Sequence, residues 1–289
     1  MELLQLHYFR TVARLEHMSK AALELRIAQP ALSKTIARLE KDVGVPLFDR
    51  EGRQIRLNTF GKAFLQKVEG ALNLLEEGQR EVADLAGLEQ GSIHLATPTL
   101  ERLSEPLNAF VGLYPNVNFR ITQASMNEMT RLIESGEVDI CFTPCALKRP
   151  DFSSKSVLNE EVYLAVPPGH RLSARRSVSL YEVANESFIG YKEGFHFQVM
   201  NEGFLRAAGL SPNFICRVDD APSIAKLVSA GLGVALVGNC GGPKTPLHLL
   251  SIADPVCERH FQLVWNNKRY LSKAAHRFID YVVRFFEVA

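Results

Sequence analysis

Residues 18–59 read MSKAALELRIAQPALSKTIARLEKDVGVPLFDREGRQIRLNT, and they decide the fold of the N-terminal part of the chain. Ser19 predicts the N-cap of a short helix. The buried side of this helix consists of Ala21, Ala22 and Leu25. After a turn of three residues, Pro30 stands at the first position of a second helix, where its missing N–H costs nothing. The stretch therefore predicts two helices joined by a sharp turn.

The second helix has one apolar and one polar face. Leu32, Ile36 and Leu39 recur at steps of four and three, and they predict the inward face. The outward face is small, polar and basic, and it consists of Gln29, Pro30, Ser33, Lys34 and Arg38. The segment Arg50-Glu51-Gly52-Arg53 then supplies the turn of a hairpin. This layout is typical of a winged helix-turn-helix, which places one helix in a DNA major groove.

The outward residues have predicted roles at DNA. Gln29 and Ser33 hydrogen-bond base edges, and Pro30 contacts a thymine methyl group. Phosphates are held mainly by cations, which are Lys34, Arg38, Arg50 and Arg53. The arginines of the hairpin can also enter the minor groove, and Ser19 is assigned to the same interface. The alternative is an ordinary solvated face, because outward Lys and Arg side chains are common on any helix.

Residues 60–89 form a candidate linker. Its seam residues step alternately by four and three, and they are Phe64, Val68, Ala71, Leu75, Gly78, Val82 and Leu85. Such a seam over three heptads predicts a helix of about 28 residues, roughly 40 Å long, that pairs with a second copy. The alternative is an ordinary amphipathic helix that packs only on its own chain.

From residue 92 onward, short apolar runs alternate with helical patterns. Strands are predicted at 93–96, 117–121 and 140–142, with intervening helices that follow Thr99 and Ser125. This order predicts a parallel sheet with right-handed crossovers. A second set of strands is predicted at 162–166, 188–189, 214–218 and 234–237. A final amphipathic helix carries Ala275, Phe278, Ile279, Val282, Val283 and Phe286. The fold class is therefore α/β.

Hydroxyl groups follow the strands of the first α/β set. In open α/β sheets, small molecules bind beyond the carboxyl ends of the strands, and helix N-termini there favour an anion. The predicted effector-contacting residues are Thr97, Thr99, Ser125, Thr143 and, in the second set, Phe195. For each single hydroxyl, the alternative is a simple helix cap. His196 has no visible nucleophile partner and is interpreted as a packing or surface residue.

Residues 1–65 resemble the N-terminal domain of LysR-type transcriptional regulators. The resemblance is carried by LQLHYFRTVA, SKAALELRIAQPALSKTIARLEKDVGVPLFDR and LNTFGKAFL. It implies a linker helix that forms dimers and two Rossmann-like lobes, hinged like a periplasmic solute-binding protein. One departure is Ala28, where family members commonly carry a Ser or Thr that caps the helix. Its absence removes an interaction of about 1 kcal/mol.

The resemblance also implies domain boundaries and partners. We expect a DNA-binding domain at 1–59, a linker at 60–89 and an effector-binding domain at 90–289. Lobe I is expected at about 90–161 and 266–289, and lobe II at about 162–265. The expected partners are double-stranded promoter DNA, a small-molecule effector such as an organic anion, further copies in a homodimer or homotetramer, and RNA polymerase.

Composition agrees with this assignment without deciding it. Residues 1–60 hold ten Lys/Arg against seven Asp/Glu, a balance of +3 in a chain whose net charge is +1. A slightly basic head on a neutral remainder permits DNA binding. No uninterrupted apolar run reaches the roughly 18 residues of a membrane span, and no secretory signal is visible. We therefore expect a cytoplasmic protein without membrane contact.

Other function classes are weaker. The five cysteines are scattered, at positions 141, 145, 216, 240 and 257, which argues against a disulfide framework. No metal-ligand cluster and no dinucleotide, P-loop or nucleophile-elbow motif is present, so we expect no enzyme, cofactor or metal site. A thiol-based redox regulator of the same architecture stays an alternative, as does, more remotely, a cytoplasmic solute-binding protein.

Overall fold

The computed structural model describes residues 1–51, 54–86, 91–238 and 247–288. The helices are α1 (Leu3–Leu15), α2 (Met18–Glu24), α3 (Gln29–Val43), α4 (Thr59–Leu85), α5 (Ser104–Leu113), α6 (Met126–Ser135), α7 (His196–Ala207), α8 (Ala221–Ser229) and α9 (Lys273–Val288). The strands are β1 (Phe48–Glu51), β2 (Gln54–Leu57), β3 (Ser92–Thr97), β4 (Asn118–Gln123), β5 (Ile140–Thr143), β6 (Phe152–Val166), β7 (Ser177–Ser179), β8 (Ser187–Tyr191), β9 (Asn213–Val218), β10 (Ala235–Gly238), β11 (His248–Asp254) and β12 (Glu258–Asn266).

The N-terminal head comprises α1–α3 and the antiparallel hairpin β1–β2. Its core buries the predicted inward triad of α3, because Leu32, Ile36 and Leu39 are at most 1% exposed. The hairpin is tied to α3 through Glu40, whose carboxylate accepts the backbone N–H groups of Leu47 and Phe48. This packing confirms the predicted winged helix-turn-helix.

The helix starts in the head differ from the prediction in one detail. The N-cap of α2 is His17, whose Nδ1 accepts the backbone N–H of Lys20 at 3.4 Å. Ser19 therefore lies within the first turn of α2 and is not its cap. At α3 the N-cap is Ala28, which has no side-chain acceptor to offer. The missing cap inferred from the sequence is thus a feature of the structure.

Helix α4 continues directly from the head. Its first turns pack into the head core through Val68 and Leu72, which are nearly fully buried. Farther along, most of the predicted seam is exposed in the single chain, at Ala71, Leu75, Gly78, Val82 and Leu85. The head and α4 therefore form one packed body with an uncovered apolar stripe.

The remainder of the chain is built on an eight-stranded mixed sheet. Strands β4, β3 and β5 are parallel neighbours, as the βαβαβ pattern predicted. In the full order β4-β3-β5-β12-β6-β11-β7, β10 pairs additionally with β6. Strands β8 and β9 form a separate parallel pair. We use "lobe I" for β3–β5, the part of β12 that pairs with β5, the first part of β6 and the helices α5, α6 and α9. "Lobe II" denotes the remaining strands with α7 and α8.

Two strands connect the lobes. Strand β6 was predicted only at 162–166, but it begins at Phe152 and is 15 residues long. Its first part pairs with β12, and its last residues pair with β10 and β11. Residues 258–265 were assigned to lobe II from the sequence. In the structure, Gln262–Val264 pair with β5 and thus lie in the sheet of lobe I.

The first helix of lobe I starts later than expected. It was predicted to follow Thr99 directly, but α5 begins at Ser104 after an irregular turn. Its Phe110 packs against Phe278 of α9, with ring centroids 5.1 Å apart. The final amphipathic helix thus returns to lobe I, as expected from the resemblance.

Candidate DNA interface and effector cleft

The outward face of α3 is accessible along its length. Gln29, Pro30, Lys34 and Arg38 are exposed and Ser33 is half-buried, all opposite the buried leucine and isoleucine triad. The helix begins at Gln29, so Pro30 stands at its second position and not at the first as predicted, and a left-handed Gly44 ends the helix. The face presents two cations and small polar groups without a bulky side chain that would hold it away from a groove wall. This arrangement suits a helix in a DNA major groove.

The other predicted DNA contacts lie around this helix. Ser19 is exposed on α2. The guanidinium of Arg38 lies 3.3 Å from the carboxylate of Glu2, in an exposed pair that phosphate contact would displace. Arg50 lies on β1, opposite Ile55 of β2, but its side chain is outside the described part of the chain. Arg53 lies outside the described residues altogether.

A cavity of about 490 Å³ lies between the lobes. On the lobe I side, it is bordered by Ser125, Met126 and Asn127 at the start of α6, and by Lys148 and Arg149. On the lobe II side, it is bordered by Gly194 and His196 at the start of α7. The N-cap of α7 is Phe195, which offers no side-chain acceptor to the first N–H groups of the helix. Two helix N-termini and two cations thus surround the same space.

The five predicted effector residues differ in their access to this cavity. Ser125 lines it and caps α6, with Oγ accepting the N–H of Glu128 at 3.4 Å. Thr97 and Thr143 are fully buried, and each hydroxyl donates to a carbonyl two residues onward, of Thr99 and Cys145 respectively.

The other two predicted residues are half-buried. The hydroxyl of Thr99 accepts the N–H of Glu101 at 3.2 Å. The ring of Phe195 stacks on Tyr191 with centroids 5.1 Å apart. A helix cap at Ser125 and local turns or packing at the other four residues therefore engage all five side chains in this conformation.

A buried charge network at the crossing of the lobes was missed by sequence reasoning. Glu160 of β6 and Arg259 of β12 are register partners, and Arg259 Nη1 donates to Glu160 Oε2 at 3.1 Å. Arg102 donates to the other carboxylate oxygen at 2.6 Å. Arg259 Nη2 donates to Asn201 of α7 at 3.1 Å. The network joins lobe I, both crossing strands and lobe II, and its hydrogen-bonded partners are up to 99 residues apart in the chain.

His196 lies beside this network. Burial and the nearby charge of Arg259 lower the pKa of His196 to about 4, so the imidazole is neutral at physiological pH. Its Nε2 is buried without a hydrogen-bond partner among the described residues. The position was interpreted from the sequence as packing or surface. In the structure it is half-buried and lines the cleft.

Three of the cysteines in the described part of the chain do not have the properties of reactive thiols. Cys141, Cys145, Cys216 and Cys257, the four in the described part of the chain, are all free. Burial raises the pKa of Cys141 and of Cys145, and burial together with Asp254 raises that of Cys257 to about 12. A protonated thiol is a poor nucleophile, so these three do not support the redox alternative.

None of the described helices has the combination of length and apolar character that a bilayer crossing requires.

Comparison with known proteins agrees with this architecture. Residues 3–62 match the family described as "Bacterial regulatory helix-turn-helix protein, lysR family", and residues 86–287 match the "LysR substrate binding domain". The HTH-type transcriptional regulator YybE of Bacillus subtilis is 34% identical over 99% of both chains. The chain belongs to the LysR family of transcriptional regulators. Like its relatives, this LysR-type regulator is a DNA-binding transcription factor with an effector domain and not an enzyme.

Two further similarities support the fold of the regulator. The transcriptional dual regulator GltC of Bacillus subtilis is 31% identical over 99% of this chain and 98% of its own. The crystal structure of CbnR, a LysR family regulator, superposes with a TM-score of 0.75 at 23% identity over 99% of both chains. A structure of full-length CbnR in complex with its target DNA superposes equally well. At this identity, the CbnR structures show the fold alone.

Proposed function

We propose that the regulator binds promoter DNA as a dimer through α3 and the β1–β2 hairpin, and that an anionic metabolite in the interlobe cleft modulates this binding. The observation that carries the DNA interface is the exposed polar and basic face of α3 above its buried triad. The complex of CbnR with its target DNA supports the same general mode. Gln29 and Ser33 read base edges, and Lys34 and Arg38 hold phosphates.

Two alanine variants test the interface. Lys34→Ala weakens binding to all DNA sequences alike and reduces the slope of log K against log salt by about one. Gln29→Ala mainly relaxes base preference, with a cost of about 1–3 kcal/mol at one position. Both are measured by fluorescence anisotropy on the promoter region and on bulk competitor DNA. If both variants bind the site like the parent, α3 does not enter the groove through this face.

The dimer is supported by the uncovered stripe of α4. Leu75, Val82 and Leu85 are each more than half exposed in the single chain, on a helix of 27 residues. Exposed apolar side chains at heptad spacing favour pairing with a second copy. Two heads then face two half-sites of a pseudo-palindromic operator, and further pairing of effector domains makes a tetramer.

The anionic effector is supported by the two helix N-termini at the cleft. Backbone N–H groups at the start of α6 and α7 and the side chain of Lys148 point to a negatively charged ligand. Of the predicted residues, Ser125 and the segment around Phe195 are the nearest to this position. Thr97, Thr99 and Thr143 can bind the ligand only if their hydroxyls give up their present hydrogen bonds to nearby backbone groups.

A ligand screen tests the cleft. Differential scanning fluorimetry of the full-length regulator compares carboxylic acids, amino acids and the matching neutral amides at equal concentration. We expect stabilisation by a carboxylate and not by its amide, with the shift reduced in Lys148→Gln. The matched control is Lys155→Gln, which removes a charge from β6 away from the cleft. Equal responses to acid and amide would contradict an anionic effector.

The remaining assignments follow from the family and are part of the same proposal. The DNA-binding domain is placed at 1–59, the linker at 60–89 and the effector domain at 90–289. Because its target is promoter DNA, the regulator acts in the cytoplasm and contacts RNA polymerase there. Pull-down of polymerase with the DNA-bound regulator, compared with DNA alone, tests the last point.

A further inference from the structure

Helix α4 carries a second seam, which is polar and faces lobe I of the same chain. Asn73, Glu77, Arg80 and Asp84 follow one another at steps of four, three and four residues. Each of these residues follows a residue of the exposed apolar stripe by two positions, so at 100° per residue the polar seam lies about 160° around the helix from that stripe. Although polar, Asn73 and Glu77 are each only 5% exposed. The two sides of the helix therefore have different partners.

Every residue of the polar seam contacts lobe I. Asn73 donates to the carbonyl of Ser135 at the end of α6, at 2.9 Å. Arg80 donates to Asp139 at 2.6 Å, and Asp139 also accepts the N–H of His94 on β3 at 2.8 Å.

The C-terminal end of the seam contacts the segment before α9. Asp84 accepts the hydroxyl of Tyr270 at 2.6 Å and the N–H of Lys273 at 2.9 Å. Burial and the carboxylate of Asp84 raise the pKa of Tyr270 to about 12, which keeps its hydroxyl protonated as the donor.

The centre of the seam is a buried ion pair between Glu77 and Arg269, and the guanidinium occupies a space beside Gly136. Arg269 Nε donates to Glu77 Oε1 at 2.6 Å, and the two side chains are only 15% and 7% exposed. The guanidinium lies against Gly136, where a β-carbon would overlap it. Gly136 has a φ of +74°, which a residue with a side chain rarely adopts. The backbone at the end of α6 thus leaves room for this one arginine.

We propose that the polar seam is a latch that sets the orientation of the head relative to lobe I. The N-terminal part of α4 belongs to the head core through Val68 and Leu72, so the head cannot turn without α4. The C-terminal part is held by the directional hydrogen bonds and ion pairs of the four seam residues. Such contacts are specific in geometry and exchange readily with water once they separate. The latch fixes one orientation and can also release it.

The consequence for signalling rests on the proposed function. Arg269 and Tyr270 lie three and four residues after the end of β12, and β12 is one of the two strands that cross between the lobes. Movement of lobe II on ligand binding would therefore reach the latch through β12. This gives the cleft a covalent route to the head that does not depend on the oligomer.

Reversing the charges of the central ion pair, Glu77 and Arg269, tests the latch. The variants are Glu77→Arg, Arg269→Glu and both together, studied as the full-length protein without DNA or effector. We expect faster amide hydrogen exchange in residues 268–273 and 135–139 for each single variant, by fivefold or more, and a larger radius of gyration in solution scattering. The double variant should recover at least half of both changes. This readout does not involve the proposed effector or operator, so its failure is separate from theirs.

Controls separate a latch from general damage. Glu76→Arg makes the same charge change on α4, but Glu76 pairs with Arg10 of the head, so exchange in lobe I should stay at the parental level. Tyr270→Phe removes only one hydroxyl and should give a partial effect if the charge variants do not fold. Single variants that exchange like the parent would overturn the latch.

Mixing decides whether the contact is made within one chain. When Glu77→Arg and Arg269→Glu chains are mixed, an intrachain latch stays broken in every chain. Restoration on mixing would mean that α4 contacts lobe I of a second copy, and it would overturn the proposal.

Discussion

Arg259 and Glu160 form an ion pair in which both side chains are at least 95% buried, at the place where β12 and β6 cross between the lobes. The same carboxylate also accepts Arg102. One buried negative charge therefore serves two guanidinium groups. Removing one partner of a buried pair leaves the other charge uncompensated, which is more costly than the pair itself is stabilising.

Glu160→Gln should therefore lower the free energy of unfolding of the effector domain by about 3–5 kcal/mol. Urea unfolding followed by the fluorescence of Trp265, the single tryptophan of the chain, measures this on β12 itself. The control is Glu258→Gln, which changes an exposed carboxylate on β12 directly before Arg259, the partner of Glu160. A loss no greater than that of the control would contradict a structural role for the network.

His196 should make the stability depend on pH. Its pKa in the fold is about 4, below the ordinary value of 6.5 that applies to the unfolded chain. As the pH falls from 6.5 towards 4, the unfolded chain takes up a proton that the folded chain does not, so the free energy of unfolding decreases. Above pH 6.5 the residue has no such effect.

Between pH 7 and pH 4.5, the free energy of unfolding should decrease by about 2 kcal/mol less in His196→Gln than in the parent. The measurement is urea unfolding at both pH values, with the exposed His248→Gln as a matched control. Identical pH dependence in parent and His196→Gln would show that the imidazole is not held neutral by the fold.

Ala28→Ser should strengthen the start of α3. Residue 28 is the N-cap with φ −68° and ψ 133°, a conformation that serine adopts there readily. A serine Oγ would accept the N–H of Ala31 and stabilise the helix by about 1 kcal/mol. Hydrogen exchange of the α3 amides should slow by about fivefold. Ala37→Ser, at an exposed position in the middle of the helix, should give no such slowing.

Val82→Glu should prevent dimerisation. Val82 is 66% exposed in the single chain and lies on the apolar stripe of α4. A carboxylate at a paired seam position would be buried without a partner, which costs several kcal/mol. Sedimentation velocity should show a monomer at concentrations at which Gln79→Glu, an exposed position about 60° from Val82 around the helix, is still a dimer. A dimeric Val82→Glu would move the interface to another surface.

The sequence was most informative where neighbours in the chain are also neighbours in space. The burial of Leu32, Ile36 and Leu39 follows from helical spacing alone. The order of strands and helices in lobe I was sufficient to predict that β3, β4 and β5 are parallel. The N-cap of α2 was assigned to Ser19 because serine is the commoner N-cap. In the structure the helix begins one residue earlier, and His17 accepts the N–H of Lys20. The start of α5 was misplaced because Thr97 and Thr99 bond to each other in a turn.

The polar networks could not have been predicted from one sequence. Glu77 and Arg269 are 192 residues apart, and Glu160 and Arg259 are 99 apart. Periodicity describes which face of an element is apolar, but it does not say which distant charge a buried carboxylate will meet. The heptad pattern of α4 likewise concealed its second seam, since Asn73 and Glu77 look like solvated positions beside an apolar stripe.

Strand β6 has one further consequence. Because a single stretch of backbone, Phe152–Val166, is hydrogen-bonded in both lobes, neither lobe can slide along the other without breaking ladder bonds. The two paired strands β6 and β12 can still change their twist together, by roughly a few degrees per residue. A small twist near Glu160 would then move the far ends of both lobes over a large distance, because displacement grows with distance from the twist axis.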